Sequence, residues 1–275
     1  MSLIQIGIVD TTGKLDMHLV AETAAAINVQ VTRDLPQFWT IQATVRVLTN
    51  PKQIPSGVWP VQLVKSLPPD EGGFHMTKHN QPYAKVIATP QDNSWTVDAS
   101  HEIIEMLVDP YGNRLQSSKS IKIVGNSVED GDGEFEYLVE ACDPCEDNDF
   151  GYSIQGIVVS DFITPHYYDP VATPATRYSF NGSLTAPRQL LKGGYISFVN
   201  GEQMQQILWV DPSKPPQLVN LGPAEGSSSL RVLVDNHTDA LVRKLRSTNP
   251  ELMSKAETHR TALHKLAAIR AKHYR

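Results

Sequence analysis

Three side chains in the stretch Ser100–Pro110, SHEIIEMLVDP, have the types and spacing for metal chemistry: His101, Glu102 and Glu105. At about 100° per residue, positions four apart stack on one side of a helix, so His101 and Glu105 would offer two donors to one ion. Glu102 points aside, an offset suited to a general base acting on a metal-bound water. The competing reading is a solvated polar face with one satisfied histidine.

The helix that must carry these groups is legible from its ends. Asn93 or Ser94 can cap its start, Pro110 blocks continuation, and Val97, Ile103, Ile104, Leu107 and Val108 form an apolar stripe between them. A short, half-buried helix is predicted, with His101, Glu102, Glu105 and Asp109 in one polar arc. Asp109 lies two turns from His101, about 12 Å along the axis, too far to share its ion unless the helix unwinds.

Upstream, Leu3–Val9 and Ile41–Leu48 read as strands on either side of a helix over Leu15–Asp34. Strands follow at Val61–Lys65 and Tyr83–Ala88, separated by the polar loop PPDEGGFHMTKHNQP, so the predicted order is β-α-β-β-β-α. After Pro110 the chain reads as irregular until a strand at Phe135–Ala141. Glu129–Asp149 holds ten acids and no base, and reads as a solvated acidic loop; DGDGE within it is a poor calcium-loop match. Ser153–Phe162 reads as further strand and Tyr178–Trp209 as a β-rich portion. Helices are predicted over Leu230–Leu245 and Asn249–Tyr274.

The 275 residues are 40% apolar and 20% charged, ordinary globular usage. No segment has the length and apolarity of a membrane span, and the N-terminus lacks the pattern of a signal peptide. Cys142 and Cys145, the only cysteines, form a lone CxxC that points to a buried or idle thiol pair in a reducing compartment. The net charge of −6 is uneven: residues 243–275 hold nine Lys/Arg against Glu251 and Glu257, or +7, which leaves −13 on the first 242. Four portions are therefore expected: a body over 1–170, a β-rich extension over 171–210, a Pro/Gly/Ser-rich linker over 211–229 and a basic helical tail over 230–275.

The chain resembles a group of bacterial and phage proteins regarded as zincin-like. The matching stretches are VTRDLPQFW (31–39), PSGVWPVQL (55–63), GFH with QPYAKVIA (73–88), SHEIIEMLVDP (100–110), YLVEACDPCE (137–146), VSDFITP (159–165) and LKGGYISF (191–198). They span roughly residues 31–200 and leave out the basic tail. The resemblance implies an α+β fold with a mixed twisted sheet, a backing helix and an active-site helix that follows an edge strand. It also implies a possible zinc peptidase site, although Glu105 stands where the HExxH pattern has its second histidine.

A catalytic zinc needs a third protein donor and an open position. Glu140, arriving on the strand in YLVEACDP, is preferred; Asp143, His75 and Asp109 are the further candidates. Glu102 would be the base and His166 or Tyr167 would steady an oxyanion, with a peptide laid along Tyr83–Ala88 as an added strand. Three functions compete: a metallopeptidase, a catalytically inactive structural component of an assembly, and nucleic-acid binding through the tail. The last rests on charge alone and is disfavoured. The tail stripe of Leu252, Ala256, Leu263 and Leu266 is expected to dock on another chain, with Arg260, Lys265, Arg270 and Lys272 on acidic surface. A cytoplasmic or phage-assembly setting follows.

Overall fold

The β-branched run IQIGIVD forms β1 (Ile4–Asp10), with Ile6, Ile8 and Val9 fully buried. The computed structural model describes residues 3–67, 72–91, 93–211, 213–226, 229–235 and 250–273. From β1 the chain enters α1 (Met17–Val29), whose start is capped by the Asp16 carboxylate accepting from the His18 N–H. A π-helical turn over Gln30–Asp34 extends α1, so the helix predicted to Asp34 changes its winding at Gln30. β2 (Ala43–Leu48) and β3 (Val58–Val64) then flank β1, both parallel to it. β4 (Gly73–Lys78) and β5 (Gln81–Ile87) form a hairpin whose two turn residues, His79 and Asn80, have φ of 51° and 61°.

The first sheet runs β2-β1-β3-β5-β4, parallel except for β4. The predicted order was one strand short: Gly73–Lys78 lies in the stretch read as a polar loop. It, and not the strand at Tyr83–Ala88, forms the edge. The polar residues of GFHMTK misled because Phe74, Met76 and Thr77 are only half covered, while His75 between them is buried. Registers Ile6↔Val45, Ile8↔Val61 and Leu63↔Val86 align one apolar face. Onto that face pack Val20, Ala24 and Ile27 of α1 and Ala99, Ile103 and Ile104 of α2 (Trp95–Val108).

The stretch after Pro110 is not irregular. β6 (Leu115–Val124) and β7 (Ser127–Leu138) form a long hairpin that turns at Gly125, φ 57°. The acidic run divides there: Glu129, Asp132, Glu134 and Glu136 are exposed on β7, whereas Glu140, Asp143, Glu146 and Asp147 beyond it are buried. The run is therefore no solvated acidic loop: its first part is the outer face of a strand and its second part, as far as Asp147, is buried. A short hairpin, β8 (Tyr152–Ile154) and β9 (Ile157–Val159), follows. β10 (Tyr195–Asn200), β11 (Gln203–Leu208) and β12 (Gln217–Pro223) complete a second, antiparallel sheet in the order β12-β11-β10-β7-β6. The expected extension thus shares a sheet with the expected body, and the expected linker contains β12.

α3 (Leu230–Asp235) and α4 (Pro250–His273) follow, and the rest of the helix predicted to Leu245, with Arg243, Lys244 and Arg246, lies outside the described residues. α4 docks its first turns on its own chain: Leu252, Met253 and Ala256 meet Val97 of α2 and Val158 of β9. Gly156, at φ 83°, admits it, since a Cβ there would stand 2.6 Å from the Arg260 nitrogen. His264 pairs with Glu22 of α1, and Arg260 lies 3.9 Å from the same carboxylate. Leu263, Leu266 and Ile269 remain exposed. Among the described residues no helix is long and apolar enough to cross a membrane.

Candidate metal centre

α2 is not half-buried. All of Trp95–Val108 is buried except Asp98, because the first sheet covers one side and the chain after β7 covers the other. Ser94 takes the N-cap position, and the Ser100 hydroxyl accepts from the Ser160 N–H at 2.7 Å. At the far end Asp109 is the C-cap residue, and its carboxylate accepts from the Arg114 N–H at 2.7 Å. Asp109 therefore shapes the turn into β6 and is no partner of His101.

His101 turns its Nε2 toward the Glu105 Oε2, 3.1 Å away, and the Asp143 Oδ1, 3.3 Å away. Glu105, 0% exposed, is held from the other side by the Cys142 N–H, which donates to its Oε1 at 3.0 Å. That bond ties the 3₁₀ turn Asp143–Cys145 to α2. Gly194 lies against the same turn, where a Cβ would come 2.5 Å from the Asp143 carbonyl oxygen. The third donor brought to His101 is thus Asp143, not the preferred Glu140.

Glu102 faces β4. Its Oε2 lies 3.4 Å from the His75 Nδ1, and its Oε1 lies 2.8 Å from where a Cβ on Gly73 would be. Only glycine leaves room for this carboxylate at the sheet edge. His75 is also 3.8 Å from Glu105, so the histidine expected near the edge strand joins the same buried cluster. His166 does not. It is exposed on a 3₁₀ turn and paired with Asp169 at 2.8 Å, while Tyr167 donates its hydroxyl to the Gln189 carbonyl.

The sequence reading missed Arg231 on α3. Its Nη1 donates to the Glu140 Oε2 at 2.7 Å and the Glu105 Oε2 at 3.0 Å, and lies 3.6 Å from Asp143. Its Nε donates to Asp235, four residues on, at 2.6 Å. A signal existed: Arg and Asp at i and i+4 inside the apolar run LRVLVD are a charged pair on a helix with little polar surface.

Opposed charges resolve the burial of so many ionisable groups. Burial pushes His101 toward its neutral form, but Glu105 and Asp143 outweigh it and hold the imidazole well above its ordinary pKa. Burial acts against the Glu105 carboxylate too, and His101 and Arg231 overcome it, keeping Glu105 well below the usual range. Glu102 is lowered in the same way, chiefly by His75 against burial. Glu140 and Asp143 are pushed well up by burial despite Arg231. The opposed shifts thus divide the carboxyls: Glu102 and Glu105 are favoured as carboxylates beside His101 and Arg231, and burial works against the charge on Glu140 and Asp143. The Cys142 and Cys145 thiols, both buried and free, are likewise pushed up by burial.

The donor set suits a cation. His101, Asp143 and Glu146, His101, Glu105 and Cys142, and Glu105, Glu140 and Asp143 each bring ligand atoms within 4.8 Å of one another. The separations of 3.1 and 3.3 Å around His101 match the edge of about 3.3 Å that a tetrahedron has when its bonds are about 2.0 Å. Glu140 Oε1 and both Asp143 carboxylate oxygens lack an aligned hydrogen bond. Among the described residues His101 Nδ1 also lacks one, so none of them fixes this ring through that nitrogen as metal-binding histidines usually are fixed. No family model matches the sequence, and no curated protein and no solved structure matches the chain.

Proposed function

We propose that the protein is a zincin-like metal-dependent hydrolase, with its centre on α2, that acts on peptide bonds. The observation that carries this reading is the convergence of the Glu105 Oε2 and the Asp143 Oδ1, from two separate segments, on the His101 Nε2 at 3.1 and 3.3 Å, the spacing of donors to one divalent ion. The mixed sheet with an antiparallel edge strand, the helix α1 behind it and α2 after it agree with the layout that the resemblance implies. His101, Glu105 and Asp143 would hold the ion, with Glu146 and Cys142 within reach of the same donors. Bound there, a divalent metal supplies Lewis acidity and a water that ionises near neutral pH.

The protein's own residues do the rest. Glu102 is the proton acceptor; His75 orients it, and Gly73 gives it space against β4. A peptide that adds to the first sheet beside α2 would pair with the edge strand β4 rather than with β5, which lies inside the sheet. Metal analysis of the purified protein tests the reading: about one divalent ion per chain is expected, lost in His101→Ala. Glu102→Gln should keep the ion and lose hydrolysis of unfolded peptides. Wild type that takes up no ion from zinc-containing buffer at neutral pH overturns it.

One observation favours a second reading, a non-catalytic component of an assembly. The outer half of α4 shows Leu263, Leu266 and Ile269 at the surface among Lys265, Arg270 and Lys272, as a helix that also meets a partner would. A metal-bearing protein without activity in either wild type or Glu102→Gln would select it.

A further inference from the structure

Arg231 stands where the cation chemistry of the centre would take place. Its guanidinium is 3% exposed and reaches Glu105, Glu140 and Asp143 together. A metal bonded to the Glu105 Oε2 at about 2 Å would lie within about 5 Å of the Arg231 Nη1, which is 3.0 Å from that same oxygen. Two cations so close in a buried site repel strongly, and the carboxylates they share cannot serve both.

We propose that Arg231 is a removable counter-cation, and α3 the latch that carries it: guanidinium and divalent metal compete for Glu105, Glu140 and Asp143, so the centre loads only as α3 withdraws. This rests on the metal reading above.

The way α3 is attached supports a latch. A helix of six residues is too short to persist by itself. Leu230 and Val234 pack into a small cluster with Leu138, Tyr195, Met204, Leu208 and Leu221, separate from the main core of the two helices and the first sheet. Release of α3 therefore leaves that main core intact. The turn after α2 is shaped as its seat. The Gly112 carbonyl accepts from the Ser229 hydroxyl and the Arg231 N–H, each at 3.1 Å, and Asn113 accepts from the Leu230 N–H at 2.8 Å. Gly112 itself has φ 62°, and a Cβ there would stand 2.5 Å from the Ser229 hydroxyl and 2.6 Å from the Arg231 Cβ. The seat touches α3 without touching the carboxylates, so it can be altered separately from them.

Cobalt(II) titration of the full chain, read by visible absorbance, tests the competition. Arg231→Ala should bind cobalt at least about tenfold more tightly than wild type, the weight of one strong charge-assisted hydrogen bond removed from the ligands. Gly112→Ala, which keeps the guanidinium and disturbs only its seat, should shift affinity the same way and serves if Arg231→Ala does not fold. A second measurement uses trypsin, for which the buried Arg231 is a poor target: saturating zinc should speed cleavage after Arg231. Equal or weaker cobalt binding in the folded variants, or cleavage unchanged at full zinc occupancy, overturns the latch and leaves the metal reading standing. No cobalt in wild type or variant removes the metal reading, and the latch with it.

Discussion

α2 and α4 both mix apolar with ionisable residues, the ionisable share being larger in α4; thirteen of the 14 residues of α2 are buried, while of the described side chains of α4 only Ala256 is. The difference lies in what each charge meets. In α2 each buried ionisable side chain meets a polar partner supplied by another element: His75 from β4, Asp143 from the turn after β7, Arg231 from α3. On α4 Lys255 pairs with Glu251 and Arg260 with Glu257 locally at the surface, and the imported partner, Glu22 of α1, is itself only partly covered. Local, exposed pairs hold little structure, whereas imported, buried ones hold a site together and make it fragile.

That contrast is open to direct tests. Glu105→Ala should have the largest effect. It strips His101 and Arg231 of their shared partner and frees the Cys142 N–H, so a loss of about 3–5 kcal/mol is expected in urea unfolding. A loss below 1 kcal/mol would show that the cluster is not a unit. Gly73→Ala pushes a methyl into Glu102 and should cost about 1–3 kcal/mol, with Glu102 displaced from His75. Unaltered stability would mean that β4 yields freely at the sheet edge. Gly156→Ala should cost roughly 1 kcal/mol, because it needs positive φ and crowds α4. Hydrogen exchange should quicken in α4 and stay slow in α2; quickening in both would join the two regions that the comparison separates. Leu266→Lys, on the exposed half of α4, should change stability by no more than about 0.5 kcal/mol, and a larger loss would reveal an unrecognised contact.

Much of this was legible in the sequence, unevenly. β1, β2 and α1 follow from apolar periodicity, and the capping and stop residues bracket α2 within a residue or so. His101, Glu102 and Glu105 were found because i, i+1 and i+4 on one helix is a local pattern. Burial of that face was not legible, since the apolar stripe of α2 predicts one covered side and the second cover arrives from residues 138–163. β6 and all of β7 before Phe135 escaped because serines, lysines and acids on their outer faces hide the inward Ser118 and Ile121. The exchange of Glu140 for Asp143 beside His101 turns on the direction of a single 3₁₀ turn, set by the Cys142 N–H and Gly194. Nothing within any short window encodes that. Arg231 is the extreme case, a partner supplied from 126 positions beyond Glu105.

The position of Arg231 in the chain also sets an order of assembly. Eighty-eight positions separate Asp143 from Arg231, so every carboxylate of the cluster except Asp235 leaves the ribosome first. At about 5–20 residues per second that interval lasts about 4–18 s. A nascent chain that folds its first sheet and α2 in this time holds His101, Glu105 and Asp143 with no guanidinium among them. On the latch reading, ions of the surrounding fluid would meet the donors before the chain's own arginine does, and the newborn protein would have an opportunity to load that the finished one must reopen.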